Sequence, residues 1–322
     1  MQSVTESSPV HPTAMTIGIV GAGLIGRAWA IVFARAGFTV SVYDVNAAAL
    51  ENAGAAVRQS LVGLQQAGLV DGVEQVMTHI RFDGDLASAM QGVGYVQECG
   101  PENVEDKRAI YGELESVVAD DTILASSTSG IAASLFSDHL RHPERCLVAH
   151  PVNPPYLIPL VEVVPTPQTS DVATNTTLAL MEAAQQAPIL VRKEIEGFVL
   201  NRLQGALLNE ALRLFRDGYV SAEDLDKTVK YGLGLRWSFM GPFETIDLNA
   251  PAGVVDYANR YGPLYHQVDQ QRGRENPWDE ATLQALDKER RDLLPSAELS
   301  ARHEWRDRRL MALMAHQRSM PE

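Results

Sequence analysis

The fold is decided by the stretch Thr16-Ile-Gly-Ile-Val-Gly-Ala-Gly-Leu-Ile-Gly-Arg-Ala-Trp-Ala-Ile-Val-Phe-Ala-Arg-Ala-Gly37. Thr16 to Val20 is short, apolar and β-branched, which predicts a buried strand. Gly21 to Gly26 is a glycine-rich turn. Arg27 to Ala36 is rich in Ala, Ile and Phe and closes on Gly37, which predicts a helix ended by a glycine. Thr39 to Tyr43 reads as a second strand, with Asp44 at its end.

Gly21-Ala-Gly-Leu-Ile-Gly26 fits the pattern G-x-G-x-x-G, and each glycine has a mechanical reason. Gly21 permits the tight turn, Gly23 lets a pyrophosphate approach the backbone, and Gly26 lets the helix pack on the strand. The free N–H groups and positive end of the following helix favour phosphates. The pattern alone is weak, but here it follows a strand, opens a helix and has an acid at the end of the next strand. Asp44 can accept hydrogen bonds from an adenosine ribose and would repel a 2′-phosphate. Val45 and Asn46 supply no arginine to reverse this, so the expected cofactor is NAD rather than NADP. FAD uses the same fingerprint, and the plainer reading leaves the glycines as a tight turn and Asp44 as a strand end.

Outward from this unit, Ala47 to Ala67, Val104 to Val118 and Asp171 to Ala184 read as helices. Tyr95–Gln97, Ile123–Ser126, Cys146–Ala149, Leu160–Val164 and Ile189–Val191 read as strands. Such alternation predicts an α/β fold, a Rossmann-type doubly wound and mostly parallel sheet. The pattern changes near residues 193–196, and no convincing strand follows. Val199, Leu203, Leu207 and Leu214 recur at helical spacing, with Phe198, Leu200, Leu208 and Leu212 widening the stripe, as in a helix buried in a core or interface. Ser221-Ala-Glu-Asp224 resembles a capped helix start. The expected domains are a flexible tail over 1–14, a dinucleotide-binding domain over 15–194 and an all-α C-terminal domain over 195–322.

The 322 residues are 45% hydrophobic and 21% charged, ordinary for a globular protein. With 27 basic and 41 acidic residues the net charge is −14. That charge argues against nucleic acid and anionic lipid as partners. Two cysteines, Cys99 and Cys146, make neither a disulfide framework nor a zinc site, and no metal is expected. No apolar run approaches the roughly 18 residues of a membrane span, and the tail lacks the features of a signal peptide. A cytosolic protein is expected.

Two further stretches carry candidate chemistry: Ala125-Ser-Ser-Thr-Ser-Gly130, and Val148-Ala-His-Pro-Val-Asn-Pro-Pro-Tyr156 followed by Leu160-Val-Glu-Val-Val164. Ser129 and His150 follow predicted strands, where open α/β sheets bind ligands. Glu162 alternates within an apolar strand, which is costly unless it is paired. The turn at Pro154 and Pro155 could return Glu162 to His150, giving an acid–base dyad. The plainer alternative is a capped core histidine and an edge glutamate with no joint role.

These residues resemble the 3-hydroxyacyl-CoA dehydrogenase superfamily, and within it the lambda-crystallin or L-gulonate 3-dehydrogenase branch. The resemblance runs through nearly everything after the first 14 residues. It rests on Gly21–Gly26, Gln97-Glu-Cys-Gly-Pro-Glu102, Ser126-Ser-Thr-Ser129, His150-Pro-Val-Asn-Pro-Pro-Tyr156, Gly197-Phe-Val-Leu-Asn-Arg202 and Gly241-Pro-Phe-Glu244. It implies that His150 is the general acid/base, that Glu162 orients it, and that Ser129 and Asn201 contact the reacting oxygen. It also implies that Glu102 and Lys107 lie near the cofactor, that Leu24 and Ile25 add backbone contacts to it, and that Asn153 supports the site. The implied reaction is NAD-dependent oxidation of a 3-hydroxyl to a ketone, with a small hydroxy acid such as L-gulonate ranked first. A 3-hydroxyacyl-CoA ranks second, because acids outnumber the two cations Arg58 and Arg81 between Val45 and Met90. L-carnitine ranks third. Arg236 is the candidate partner for a substrate carboxylate, with a surface or interface role as its alternative. A homodimer is expected, because apolar helices need a partner surface. A non-catalytic, crystallin-like role is the rival from another class, and the intact set of Ser129, His150, Glu162 and Asn201 argues against it.

Overall fold

The computed structural model describes residues 15–271 and 276–320, so the expected tail over 1–14 lies outside the described residues. Two compact units divide the chain. One runs to Leu200 and takes in the residues from Glu304 onward; the other spans Asn201–His303.

The first unit alternates strand and helix: β1 (Ile17–Val20), α1 (Leu24–Arg35), β2 (Val40–Tyr43), α2 (Ala47–Gln66), α3 (Val73–Met77), β3 (Ile80–Asp83), α4 (Leu86–Ala89), β4 (Tyr95–Glu98), α5 (Val104–Val117), β5 (Ile123–Ser126), α6 (Ser134–Ser137), β6 (Cys146–Pro151), β7 (Leu160–Pro165), α7 (Asp171–Ala183) and β8 (Ala187–Leu190). They form one eight-stranded sheet of order β3-β2-β1-β4-β5-β6-β7-β8. Every pairing is parallel except β6 with β7. That exception has a simple cause. Residues 152–159 are too short for a crossover, which needs a dozen or more residues, so β7 can only double back on β6.

Helix α1 begins at Leu24, inside the glycine turn rather than after it, and buries Ala28 through Ala34. Trp29 stacks on Phe33 with ring centroids 5.3 Å apart and donates its indole N–H to Ser127 Oγ at 3.1 Å. One core cluster includes Trp29, Phe33, Leu61, Leu147 and Val161. A second includes Val96, Tyr111, Leu124, Phe136 and Phe198. With successive side chains of a strand pointing to opposite faces, the two clusters cover both sides of the sheet, as a doubly wound fold requires.

The second unit holds α9 (Ala222–Lys227), α10 (Gly234–Trp237), α11 (Pro242–Leu248), α12 (Gly253–Gln271) and α13 (Glu280–Leu293), and most of α8 (Leu200–Arg216). The Ser221 hydroxyl caps α9 by accepting from the Asp224 N–H at 3.1 Å. The final helix, α14 (Leu299–Ser319), falls largely in the first unit. The sequence reading placed it with the helical domain. It packs instead through Leu310, Met311, Met314 and Ala315 against the cluster that holds Val57, Leu61 and Leu64 of α2. No helix among the described residues is long and apolar enough to cross a membrane.

Candidate active site

The strand order reverses between β1 and β4, and a crevice for ligands is expected beyond their carboxyl ends. Gly21, Gly23 and Gly26 stand there with three different constraints. Gly21 has φ +105°, and a Cβ on it would lie 2.7 Å from the Cys99 carbonyl oxygen. A Cβ on Gly26 would lie 1.8 Å from the Gly21 oxygen. A Cβ on Gly23 would meet nothing within 4 Å, so its space is open to a ligand. Leu24 and Ile25 form the first turn of α1, whose N–H groups begin at this point. Asp44 follows β2 and clamps the turn, accepting from the Ala22 N–H at 2.6 Å and the Asn46 N–H at 2.7 Å. A cavity of about 520 Å³ opens beside it, lined among others by Gly21, Gly23, Asp44, Gly100 and Pro101. A Cβ-free approach over Gly23, a helix N-terminus and a carboxylate at the ribose position fit a dinucleotide.

His150 and Glu162 face each other directly in the antiparallel β6–β7 pairing. His150 Nδ1 lies 2.8 Å from Glu162 Oε2. The other carboxylate oxygen accepts from the backbone N–H groups of Val199 and Leu200 at 2.8 and 2.9 Å. Two successive left-handed residues, Gly197 (φ +73°) and Phe198 (φ +49°), precede those N–H groups. The Phe198 ring packs 5.6 Å from the imidazole. Glu162 is 0% exposed. Burial alone would raise its carboxyl, but the bonds from His150, Leu200 and Val199 outweigh it and hold the group below the usual carboxylate range.

Ser129 lies past the end of β5, the strand beside β6. Its N–H and its hydroxyl both donate to Glu102 Oε1, at 2.7 and 3.0 Å, and the Thr128 hydroxyl joins them at 2.7 Å. Burial pushes the Glu102 carboxyl up, but these bonds and Lys107 bring it below its ordinary value. Lys107 is 1% exposed, with its ammonium on both oxygens of Glu98. Asn153 sits exposed in the turn between β6 and β7. Asn201 stands at the start of α8 and Arg236 in α10, both in the second unit.

Sequence reasoning missed Glu98, Ser127 and Phe198. Ser127 Oγ accepts from Trp29 and from Gln97 Nε2 (2.7 Å), and Gln97 also donates to the Ala149 carbonyl at 3.1 Å, next to His150. A buried polar network thus ties the glycine-loop helix to the strand that carries the histidine. Cys99 touches the same Ser127 at 3.2 Å, but burial pushes its thiol up to about 12, which leaves no thiolate nucleophile. Glu98 follows Gln97 at the end of β4, so it lacks the valines on both sides that mark Glu162. No group of three metal-ligating side chains is gathered among the described residues.

Residues 16–195 match the family described as 3-hydroxyacyl-CoA dehydrogenase, NAD binding domain, and residues 197–292 match 3-hydroxyacyl-CoA dehydrogenase, C-terminal domain. The chain belongs to the 3-hydroxyacyl-CoA dehydrogenase family. As a member, it is an NAD-dependent oxidoreductase acting on a hydroxyl group, and the crevice at Gly23 and Asp44 is where its residues suit that cofactor. This 3-hydroxyacyl-CoA dehydrogenase family chain is 42% identical over 307 residues to the lambda-crystallin homolog of Rattus norvegicus, covering 94% of this chain and 96% of that one. It is 38% identical over 248 residues to an L-carnitine dehydrogenase of Oceanobacillus iheyensis, covering 77% and 80%. Among solved structures it is similar to 5-formyl-3-hydroxy-2-methylpyridine 4-carboxylic acid 5-dehydrogenase, an NAD⁺-dependent dismutase. The TM-score is 0.82 and the identity 28%, with 95% of this chain and 99% of that one covered.

Proposed function

We propose that the protein oxidises the 3-hydroxyl of a small hydroxy acid to a ketone, as an L-gulonate 3-dehydrogenase does. The observation that carries the chemistry is the buried His150–Glu162 pair. Glu162, ionised and already holding two backbone N–H groups, can only accept from His150. The resting imidazole therefore carries its proton on Nδ1 and presents the Nε2 lone pair as a base. The substrate hydroxyl proton passes to Nε2, and Glu162 stabilises the imidazolium that forms. NAD, when bound, supplies the acceptor for the hydride leaving C3. Ser129, whose hydroxyl donates to Glu102 before substrate is bound, is proposed to turn that hydrogen bond to the substrate oxygen. The further proposed roles, Asn201 on the same oxygen, Asn153 in support and Arg236 on the substrate carboxylate, rest on the sequence.

Charge supports a substrate without CoA. Of the two cations between Val45 and Met90, Arg58 is paired with Glu74. Arg81 donates to the Ser88 and Ala89 carbonyls at 2.9 and 3.1 Å. Neither is left over for CoA phosphates. The greater identity to a lambda-crystallin homolog than to an L-carnitine dehydrogenase supports the order of the remaining choices.

One panel tests the reading: L-gulonate, 3-hydroxybutyrate, 3-hydroxybutyryl-CoA and L-carnitine, each with NAD and NADP, following the reduced nicotinamide. The highest kcat/KM is expected for a free hydroxy acid with NAD, and it should vanish in His150→Ala. A highest value for 3-hydroxybutyryl-CoA would refute the substrate class. Equal rates in wild type and His150→Ala would refute the mechanism.

The second unit supports a homodimer as the working form. Its described residues bury only Leu212, Ala222, Thr245, Ala250, Pro277 and Thr282, too little for a self-sufficient core. Phe239, Phe243, Leu248, Val255 and Leu264 remain exposed. So many exposed apolar side chains in one unit suit burial against a second copy of the chain. Light scattering at micromolar concentration should give twice the chain mass, and a monomer there would refute it.

A further inference from the structure

Glu98 and Lys107 form an ion pair withdrawn from water, at 0% and 1% exposed. Lys107 Nζ lies 3.1 and 2.9 Å from the two Glu98 oxygens. Glu98 Oε1 also accepts from the Gly100 N–H, and Oε2 from the Ser126 hydroxyl, both at 2.6 Å. One carboxylate thereby joins the end of β4, the end of β5 and the first turn of α5. A buried pair of this kind is a poor stability device, since apolar residues of similar volume usually do as well. Its second contact is more telling. The same ammonium reaches Glu102 Oε2 at 3.8 Å. The opposite oxygen, Oε1, is left to gather Thr128 Oγ1, Ser129 N and Ser129 Oγ. Lys107 is therefore enclosed between two carboxylates, one buried and one 47% exposed.

We propose that Glu98 and Lys107 are a buried positioning pair that aims Glu102 at the 128–129 loop and so fixes where Ser129 stands, with its hydroxyl on Glu102 until a substrate oxygen draws it away. This rests on the function proposed above, which gives Ser129 the oxygen. Glu98 and Lys107 act through Glu102 and touch neither substrate nor reacting atom.

The test compares Glu98→Gln, Lys107→Met, the double variant Glu98→Gln/Lys107→Met, Glu102→Gln and Ser129→Ala, using the panel substrate with the highest kcat/KM. Each single change in the pair strands a buried charge and should lower Tm. The double variant removes both charges and should regain Tm, while kcat/KM stays about tenfold down, the size of one lost hydrogen bond. Glu102→Gln, on a half-exposed side chain, should keep Tm and show the same loss. In the Ser129→Ala background neither change should cost anything further, as expected of residues acting through one another. Recovery of kcat/KM together with Tm in the double variant would make the pair merely structural and overturn the proposal. If the double variant does not fold, independent multiplication of the Glu102→Gln and Ser129→Ala losses overturns it equally. Wild-type turnover with unaffected variants sinks only the positioning pair. Wild type inactive on the whole panel sinks the function reading, and the pair's role with it.

Discussion

Replacing Glu162 by Gln isolates what the carboxylate does for His150. Gln has nearly the same shape, and its amide oxygen can keep the Val199 and Leu200 N–H groups now held at 2.8 and 2.9 Å. Its NH₂ then occupies the place of Oε2, 2.8 Å from His150 Nδ1. Two donors would face each other there, so the imidazole moves its proton to Nε2 and the base is lost. The same exchange of acceptor for donor beneath a catalytic histidine costs about 10⁴ in kcat in a serine protease. With a hydroxyl rather than a peptide as substrate, a loss of about 10³ or more is expected here. Stability should fall little, by about 1–2 kcal/mol for one charge-assisted bond. The assay is kcat for hydroxy-acid oxidation across pH, beside a urea titration. A variant within tenfold of wild type at every pH would refute the tautomer argument. Acid adds an independent check. The folded carboxyl holds its proton less tightly than an unfolded glutamate near about 4.3, so the unfolded state binds more protons in acid. The contribution of Glu162 to stability is full above that value and drains away as pH falls through the folded one. Wild type should therefore lose stability in this window more steeply than Glu162→Gln.

Gly23→Ala should fold normally and weaken NAD binding at least tenfold by calorimetry, because its Cβ enters open space meant for the ligand. Gly26→Ala should lower Tm instead, since its Cβ would fall 1.8 Å from the Gly21 oxygen. Asp44→Ala should reduce the preference for NAD over NADP in kcat/KM by about tenfold, and an unchanged ratio would remove Asp44 from cofactor choice. Trp29→Ala should cost about 3–5 kcal/mol in urea unfolding, since it empties a fully buried indole site and strips Ser127 of one donor.

The sequence was most legible where local and global signals agree. Ile17–Val20 and Val40–Tyr43 are strongly patterned and buried on nearly every position, and the sequence places each to within one residue, whereas it ends the more exposed glycine turn three residues late. Ile80-Arg-Phe-Asp83 went unread because it is an edge strand with only Ile80 fully buried, so its charged positions hide the alternation. The approach of Glu162 to His150 was legible from one costly carboxylate in an apolar run. Its two backbone donors were not, because they depend on the backbone at Gly197 and Phe198, and a left-handed phenylalanine has no sequence signature. Nor could composition show that Met311 and Met314 dock beside α2, since a helix face names its own polarity and not its partner.

The antiparallel return of β7 makes chain length itself a catalytic quantity. His150 and Glu162 meet because they share one register line, with Ala149 opposite Val163 and Pro151 opposite Val161 on either side. Side chains alternate faces along a strand, so a slip of one residue would turn the carboxylate to the far side of the sheet and set a valine against the histidine. The connection that fixes this register is residues 152–159, which include Pro154, Pro155 and Pro159. One residue added or removed in that connection could silence the enzyme while leaving every catalytic side chain in the sequence. Where relatives differ in this segment, its residue count is as diagnostic of a working site as the histidine and the glutamate themselves.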